Sequence, residues 1–284
     1  MNAGEGRCSL LARESHAQVA GTSREAGVFF LVQQEGAWPR DAVGLSHLSD
    51  EVKEHLSHPD LETFLVRGHP RTEQRLAFLA QIDQGRLQER ELNSEADLLA
   101  LDADALVAGV DPGWSPRESL LLVCTHSKRD RCCAEFGRPI FNALSARWPQ
   151  RTWEISHVGG HRFAGNLVVL PQGWFYGNLD VSSAVAAVEA LDQGRLVLEY
   201  LRGRAGCSAQ VQYAEIELRK HLGHDQLGGV EVIGQEPGRT SLTVSGASYL
   251  VESEMVPGPD LLLSCRDDQP RASTYFETRG ITRL

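Results

Sequence analysis

Several patterns are missing from this sequence, and each absence removes a class of function. No run approaches the roughly eighteen apolar residues needed to cross a bilayer; the densest, Gly27 to Val32 and Leu120 to Val123, have the length of strands. The opening Met1-Asn2-Ala3-Gly4-Glu5-Gly6 carries no basic segment leading into an apolar stretch, so neither a signal peptide nor a membrane association is expected, and the expected compartment is the cytoplasm. No Gly-x-Gly-x-x-Gly follows a strand, so a nicotinamide or flavin would have to come from a partner. No Cys-x-x-Cys is present either. A thioredoxin- or peroxiredoxin-like thiol oxidoreductase using Cys133 would lack a resolving partner unless Cys124 served, because adjacent Cys132 and Cys133 form only a strained disulfide. Basic side chains are too few, 28 against 38 acidic, for the chain to favour phosphate backbones, and nucleic-acid binding is not expected.

What is present is a chain of 284 residues, 42% hydrophobic and 23% charged, able to bury a large core without an oligomer. Six cysteines occur, Cys8, Cys124, Cys132, Cys133, Cys207 and Cys265. In a reducing compartment such residues serve as small buried hydrophobes, metal ligands or redox groups rather than disulfides.

Hydrophobic periodicity divides the chain into three parts. Residues 1–108 read as strand (Gly27 to Val32), helix (from Asp41 to the stop at His58-Pro59), three strands (Thr63 to Val66, Leu76 to Ile82, Arg86 to Leu92) and an acidic helix (Ser94 to about Val107). The linker from Gly109 to Pro116 opens residues 109–204, where the same βαβββα order returns. There Leu120 to Val123, Thr152 to Ser156, Leu167 to Leu170 and Trp174 to Tyr176 are strands, and Ala134 to Trp148 and Ser182 to Leu191 are helices. This predicts an α/β protein of two duplicated thioredoxin-like halves. Residues 205–284 form a small α+β appendage with a helix from Val211 to Leu222 and short strands near 230–233, 241–244, 249–252 and 261–264, and no chemical motif is evident in it.

The second part concentrates the chemistry. Cys124 ends a predicted strand and Cys133 lies at a predicted helix start, with the polar loop from Thr125 to Cys132 between them. That is the edge where α/β sheets place ligands, and a helix N-terminus favours the thiolate form that binds metal. His157-Val158-Gly159-Gly160-His161 follows another predicted strand, and its paired glycines indicate a tight loop rather than a helix. If the two strands share a sheet, two sulfur and two nitrogen ligands converge. Singly, each residue has an ordinary explanation: a strand-end cysteine as core, a loop histidine as solvated, two glycines as a turn.

The motifs Cys124-Thr125-His126, Arg129-Asp130, Cys133, the run from His157 to Asn166, and Pro171-Gln172-Gly173-Trp174-Phe175-Tyr176-Gly177 resemble those of the sucrase/ferredoxin-like family of thioredoxin-like ferredoxins. The resemblance is strong from about Leu120 to Asp180, weaker over the N-terminal half and absent beyond about Arg204. It implies a [2Fe-2S] cluster with Cys124 and Cys133 on one iron and His157 and His161 on the other. It also implies an electron carrier or redox protein, exchanging electrons with a reductase or acceptor protein, rather than a stand-alone enzyme. Cys132, beside the matched cysteine, leaves open which of the pair is the ligand. The rival with the same donors is a structural Cys2His2 zinc site, although its spacing fits no zinc finger. Arg129, Arg131 and Arg162 lie near the ligands, either as charge stabilisers or as solvated ion pairs. Trp153, Trp174 and Tyr176 read as packing residues, and His126 as a neighbour of the ligands. No carboxylate pair suited to glycoside hydrolysis is identifiable.

Overall fold

In a computed structural model that describes residues 6–68 and 75–284, the strands β1 (Val28–Gln33), β2 (Leu61–Arg67), β3 (Leu76–Gln81), β4 (Arg86–Glu91) and β5 (Ser115–Pro116) belong to one sheet with β6 (Leu120–Cys124), β7 (Thr152–Ile155), β8 (Leu167–Leu170), β9 (Trp174–Tyr176) and β10 (Leu201–Arg204). The order is β10-β9-β8-β6-β7-β2-β1-β3-β4-β5. A mixed α/β architecture with a large sheet and several helices is compatible with the thioredoxin-like class.

One pairing rule is used twice. β1 lies parallel to β2 and antiparallel to β3, which pairs antiparallel with β4. β6 lies parallel to β7 and antiparallel to β8, which pairs antiparallel with β9. The runs Val28–Gln33 and Leu120–Cys124 are buried throughout, as near-continuous apolar strands covered on both faces must be. The two sets join where β2 meets β7, antiparallel, through the register pairs Val66↔Ile155 and Arg67↔Glu154.

The helices α1 (Cys8–Glu14), α2 (Asp50–His55), α3 (Ala96–Leu99), α4 (Ala103–Val107), α5 (Arg131–Arg147), α6 (Val181–Asp192) and α7 (Ala209–Leu222) cover the sheet and its ends. α7 packs Ala214 and Leu218 on Leu242, Val244 and Val251 of a second sheet, ordered β11 (Val230–Glu236), β12 (Arg239–Val244), β13 (Ala247–Pro257) and β14 (Thr274–Arg283). Among the described residues no helix is long and apolar enough to cross a membrane.

Four local expectations differ from the structure. The helix expected from Asp41 begins only at α2, because Asp41 Oδ1 accepts the Gly44 N–H (3.0 Å) in a turn and Ser49 then caps the helix at the Val52 N–H. The acidic helix is broken into α3 and α4 where Asp102 caps anew through the Ala105 N–H. Residues 261–264 form no strand beyond the single Leu261↔Arg271 bridge, whereas β14, polar and interrupted by Gly280, is a full edge strand. α1 has no counterpart in the sequence reading.

The seam between the halves is held by a buried ion pair. Glu154 accepts from Arg67 Nη2 at 2.7 Å and Arg138 Nη1 at 3.0 Å, and also from the Thr125 hydroxyl. Burial alone would push this carboxyl up, but the hydrogen bonds from Arg67 and Thr125 and the charges of Arg67 and Arg138 outweigh it and hold its pKa below the ordinary 4.5. Removing one partner strands the other's charge, so Glu154→Ala is expected to cost about 3 kcal/mol in urea unfolding. The sign with pH is set by the depressed value: the stabilisation is complete above 4.5 and lost as pH falls through the folded-state value. An acid-unfolding midpoint unchanged in Glu154→Ala would refute the assignment.

Candidate metal centre

Parallel pairing of β6 with β7 sets Cys124 opposite Ile155, so the segments that follow both strands leave the sheet side by side. After β6 the chain loops to Asp130, whose carboxylate accepts the Cys132 N–H (2.9 Å) and caps α5. Cys132 and Cys133 are the second and third residues of that helix, about 100° apart around its axis. Cys133 faces Cys124 and Cys132 turns elsewhere. α5 lies unusually close to the strand end, since a Cβ on Gly137 would stand 2.1 Å from the Cys124 carbonyl oxygen.

The sulfurs of Cys124 and Cys133 and a ring nitrogen of His157 lie within 4.8 Å of one another, a group able to hold a metal ion. Cys133 Sγ is 3.8 Å from His157 Nδ1, and His157 Nε2 is 3.2 Å from His161 Nδ1. The two imidazole rings are 4.9 Å apart at an interplanar angle of 38°. Three of the four expected ligands therefore meet, and His161 stands against the third of them, His157. Both cysteines are buried, and both histidines partly so. The His161 Nε2 atom is buried without a hydrogen-bond partner, 3.8 Å from an Asp130 carboxylate oxygen.

Burial and hydrogen bonding act on the expected ligands in different directions. The Cys133 thiol donates to Cys124, which together with His157 pulls the Cys124 pKa well down despite burial; the same hydrogen bond, with burial, pushes Cys133 up. Burial first, and then the neighbouring His157, lowers His161, keeping that imidazole neutral and able to coordinate.

A residue that the sequence reading missed supports the histidine loop from below. Arg202, at 2% exposure, donates to Gly159 O (3.1 Å), Asn166 Oδ1 (2.8 Å), Thr22 Oγ1 (3.2 Å) and Thr22 O. Burial, then Arg162 and Arg24, pushes its pKa down to about 9. Gly160, at φ 62°, sits directly on it: a Cβ there would lie 2.5 Å from Arg202 Nη2. Nothing in the sequence separates Arg202 from other arginines, because its partners lie 36 to 180 residues away. Of the arginines noted beforehand, Arg131 pairs with Glu135 (3.5 Å) and Arg162 lies over the Phe163 ring (4.5 Å). Arg129 lines a cleft of about 480 Å³ that opens beside His157 and His126. His126 is buried, its Nε2 2.7 Å from Pro39 O and its ring edge-on to Trp38. Trp153, Trp174 and Tyr176 are buried in the core.

Fold and site together define an α/β protein with a buried cysteine and histidine cluster at the carboxyl ends of two parallel strands. The chain belongs to the sucrase/ferredoxin-like family, whose model matches residues 19–203. It is similar to the curated proteins called altered inheritance of mitochondria protein 32. The identity is 34% over 97 residues with that of Saccharomyces cerevisiae, covering 29% of this chain and 31% of the relative. With that of Candida glabrata it is 28% over 102 residues, covering 30% and 32%. The chain thus spans about a third of the length of the relatives it matches. No solved structure matches it.

Because α5 approaches the Cys124 carbonyl only through Gly137, alanine there acts against its helix propensity. Gly137→Ala, which would add up to about 1 kcal/mol of stability in an open helix, is expected to lower the thermal midpoint by several degrees and to reduce the metal retained on purification. A midpoint raised by the substitution would show that α5 and β6 are not in this contact.

Proposed function

We propose that the protein is a cytoplasmic [2Fe-2S] electron carrier or redox protein, with Cys124, Cys133, His157 and His161 as the cluster ligands. The observation that carries the reading is the meeting of two thiols and an imidazole, with a second imidazole against the first, from separate loops of a family described as ferredoxin-like. The donor set suits the group: thiolate and imidazole are its usual protein ligands, and the unpartnered Nε2 of buried His161 is a polar atom for which coordination would account. When bound, the cluster supplies one-electron redox chemistry, and its two neutral imidazole ligands raise its potential above that of an all-cysteine site.

The chain's own residues do the rest. Arg202 fixes the histidine loop and places a positive charge beneath the two cysteines. Asp130 places a carboxylate oxygen 3.8 Å from His161 Nε2, a negative charge beside that proposed ligand. Trp38 and Pro39 cover His126, two residues after Cys124. His157 borders the cleft lined by Arg24, Arg40, Lys53 and Arg129, where a redox partner, a reductase or acceptor protein, would approach most closely.

One distance favours a second reading. Ligand atoms around a single tetrahedral ion stand about 3.5–3.8 Å apart, and the Cys133–His157 contact is 3.8 Å, which suits one zinc ion at the same residues. Metal and sulfide analysis of the purified chain separates the two. Two irons and two acid-labile sulfides per chain, with visible absorption and a paramagnetic signal on reduction, are expected; a colourless protein with zinc in place of iron would establish the second reading.

If His157 and His161 are ligands, His157→Cys and His161→Cys each add a negative charge and are expected to shift the midpoint potential downward by the order of a hundred millivolts. An unaltered potential in both variants would exclude histidine ligation.

A further inference from the structure

The cysteine that turns away from the first centre enters a second one. Cys132 Sγ lies 3.7 Å from Cys8 Sγ on α1 and 3.2 Å from Cys265 Sγ in the segment between β13 and β14, and Cys265 lies 3.6 Å from Cys8. No disulfide joins them. Cys8 and Cys132 are fully buried and Cys265 is partly so. Asp130, at 1% exposure, places one carboxylate oxygen 3.8 Å from Cys8 Sγ, and all four donor atoms lie within 4.8 Å of one another.

We propose that Cys8, Cys132, Cys265 and Asp130 bind a single zinc ion, distinct from the metal of the first centre. The argument is geometric. A tetrahedral ion holds sulfurs at about 2.3 Å, which sets the edge of its three-sulfur face near 3.8 Å; the observed edges are 3.2, 3.6 and 3.7 Å. An ion about 2.3 Å from all three sulfurs stands about 1 Å out of their plane, leaving its fourth position for a carboxylate oxygen.

The donors are held independently of any metal, as an ion site needs. The Asp130 carboxylate accepts the Cys132 N–H, the Cys265 N–H and the Ser264 hydroxyl, each at 2.9 Å. Two of these go to Oδ2, and Oδ1, which takes the Cys132 N–H and faces Cys8, keeps a lone pair for a metal. Arg266 ties the C-terminal segment to Lys128 O at 3.0 Å, and Arg7 ties α1 to Glu135 at 2.5 Å. Three thiols are weak hydrogen-bond partners for one another, so without an ion this cluster gains little from its close approach.

Cys8 and Cys265 both lie outside residues 19–203, so the site draws on segments beyond those that the family model matches. It closes a loop of 257 residues and fastens both outer segments onto the start of α5, one residue from Cys133. Its role is that of a clamp: zinc has no redox chemistry of its own.

The test is metal content per chain, resolved by variant and read at the zinc K-edge. Wild type is expected to hold one zinc with three sulfur ligands and one oxygen ligand. Cys8→Ser and Cys265→Ser are expected to retain less than a tenth of it with the first centre's metal unchanged, and Cys124→Ser is expected to show the reverse. Should Cys8→Ser fail to fold, Cys265→Ser, in a partly exposed segment, carries the test alone. Wild type that remains zinc-free after zinc addition, zinc that survives both Cys8→Ser and Cys265→Ser, or a disulfide within the trio in the unreduced mass spectrum would each overturn the proposal. The two centres fail separately, because zinc at the first would appear as a second ion that only Cys124→Ser removes.

Discussion

Everything at the first centre depends on β6 and β7 running parallel in neighbouring positions. Parallel strands send their carboxyl ends to the same edge of the sheet, so residues that follow Cys124 and Ile155 must share space there. Had the two paired antiparallel, the cysteine loop and the histidine loop would leave opposite edges. The parallel pairing requires a crossover, which α5 supplies, and the start of the crossover helix brings Cys133 back to the strand end from which the chain departed. Three of the four proposed ligands are thus fixed by one βαβ unit, and the fourth by the two-glycine loop that extends it.

Charge is the second constraint. The chain carries ten more acidic than basic residues, yet the ground beneath this centre is cationic, with Arg202 fully enclosed and Arg162 and Arg24 close enough to lower its pKa. Enclosing a guanidinium is costly unless its donors are used, and here carbonyls of two loops and the Asn166 side chain accept from it. The same positive charge favours negative charge on the cysteines above it. Structural anchoring and electrostatic compensation are thus one interaction, and a neutral residue of similar size at position 202 would supply neither.

The parts legible in the sequence were those set by local pattern. The apolar run from Leu120 to Val123 and the loop forced by Gly159-Gly160 stand where they were expected, and the helix expected from Ala134 to Trp148 begins three residues earlier, at Arg131. What escaped was set by distant contacts. A stretch such as Asp41 to Leu48 has helical spacing, but its side-chain turn bonds compete with the helix and win. Arg202 and Cys265 look ordinary in sequence because every partner that makes them unusual comes from another segment. The ambiguity between Cys132 and Cys133 is of the same kind. Two adjacent helical residues point about 100° apart, and only the packing of α1 and the 264–267 segment against α5 shows which neighbours each one meets.

The half of the sheet that brings no ligand still shapes the site. β2 and β7 overlap only at their carboxyl tips, so the ligand-bearing ends of the second half converge on the corresponding ends of the first. The turn after β1 reaches across this seam. Trp38 donates to Gln34 O at 3.0 Å and stands against His126, while Pro39 O meets the His126 ring at 2.7 Å. Arg67, stacked on Trp38 at 4.2 Å, continues to Glu154 and so to Thr125, the residue after Cys124. A separate second half would expose His126 to water and leave Glu154 with the half-exposed Arg138 as its charged partner. Repetition of one pairing pattern has therefore produced a division of labour: one copy presents the sulfur and nitrogen donors, and the other keeps the strand ends that carry them dry and fixed.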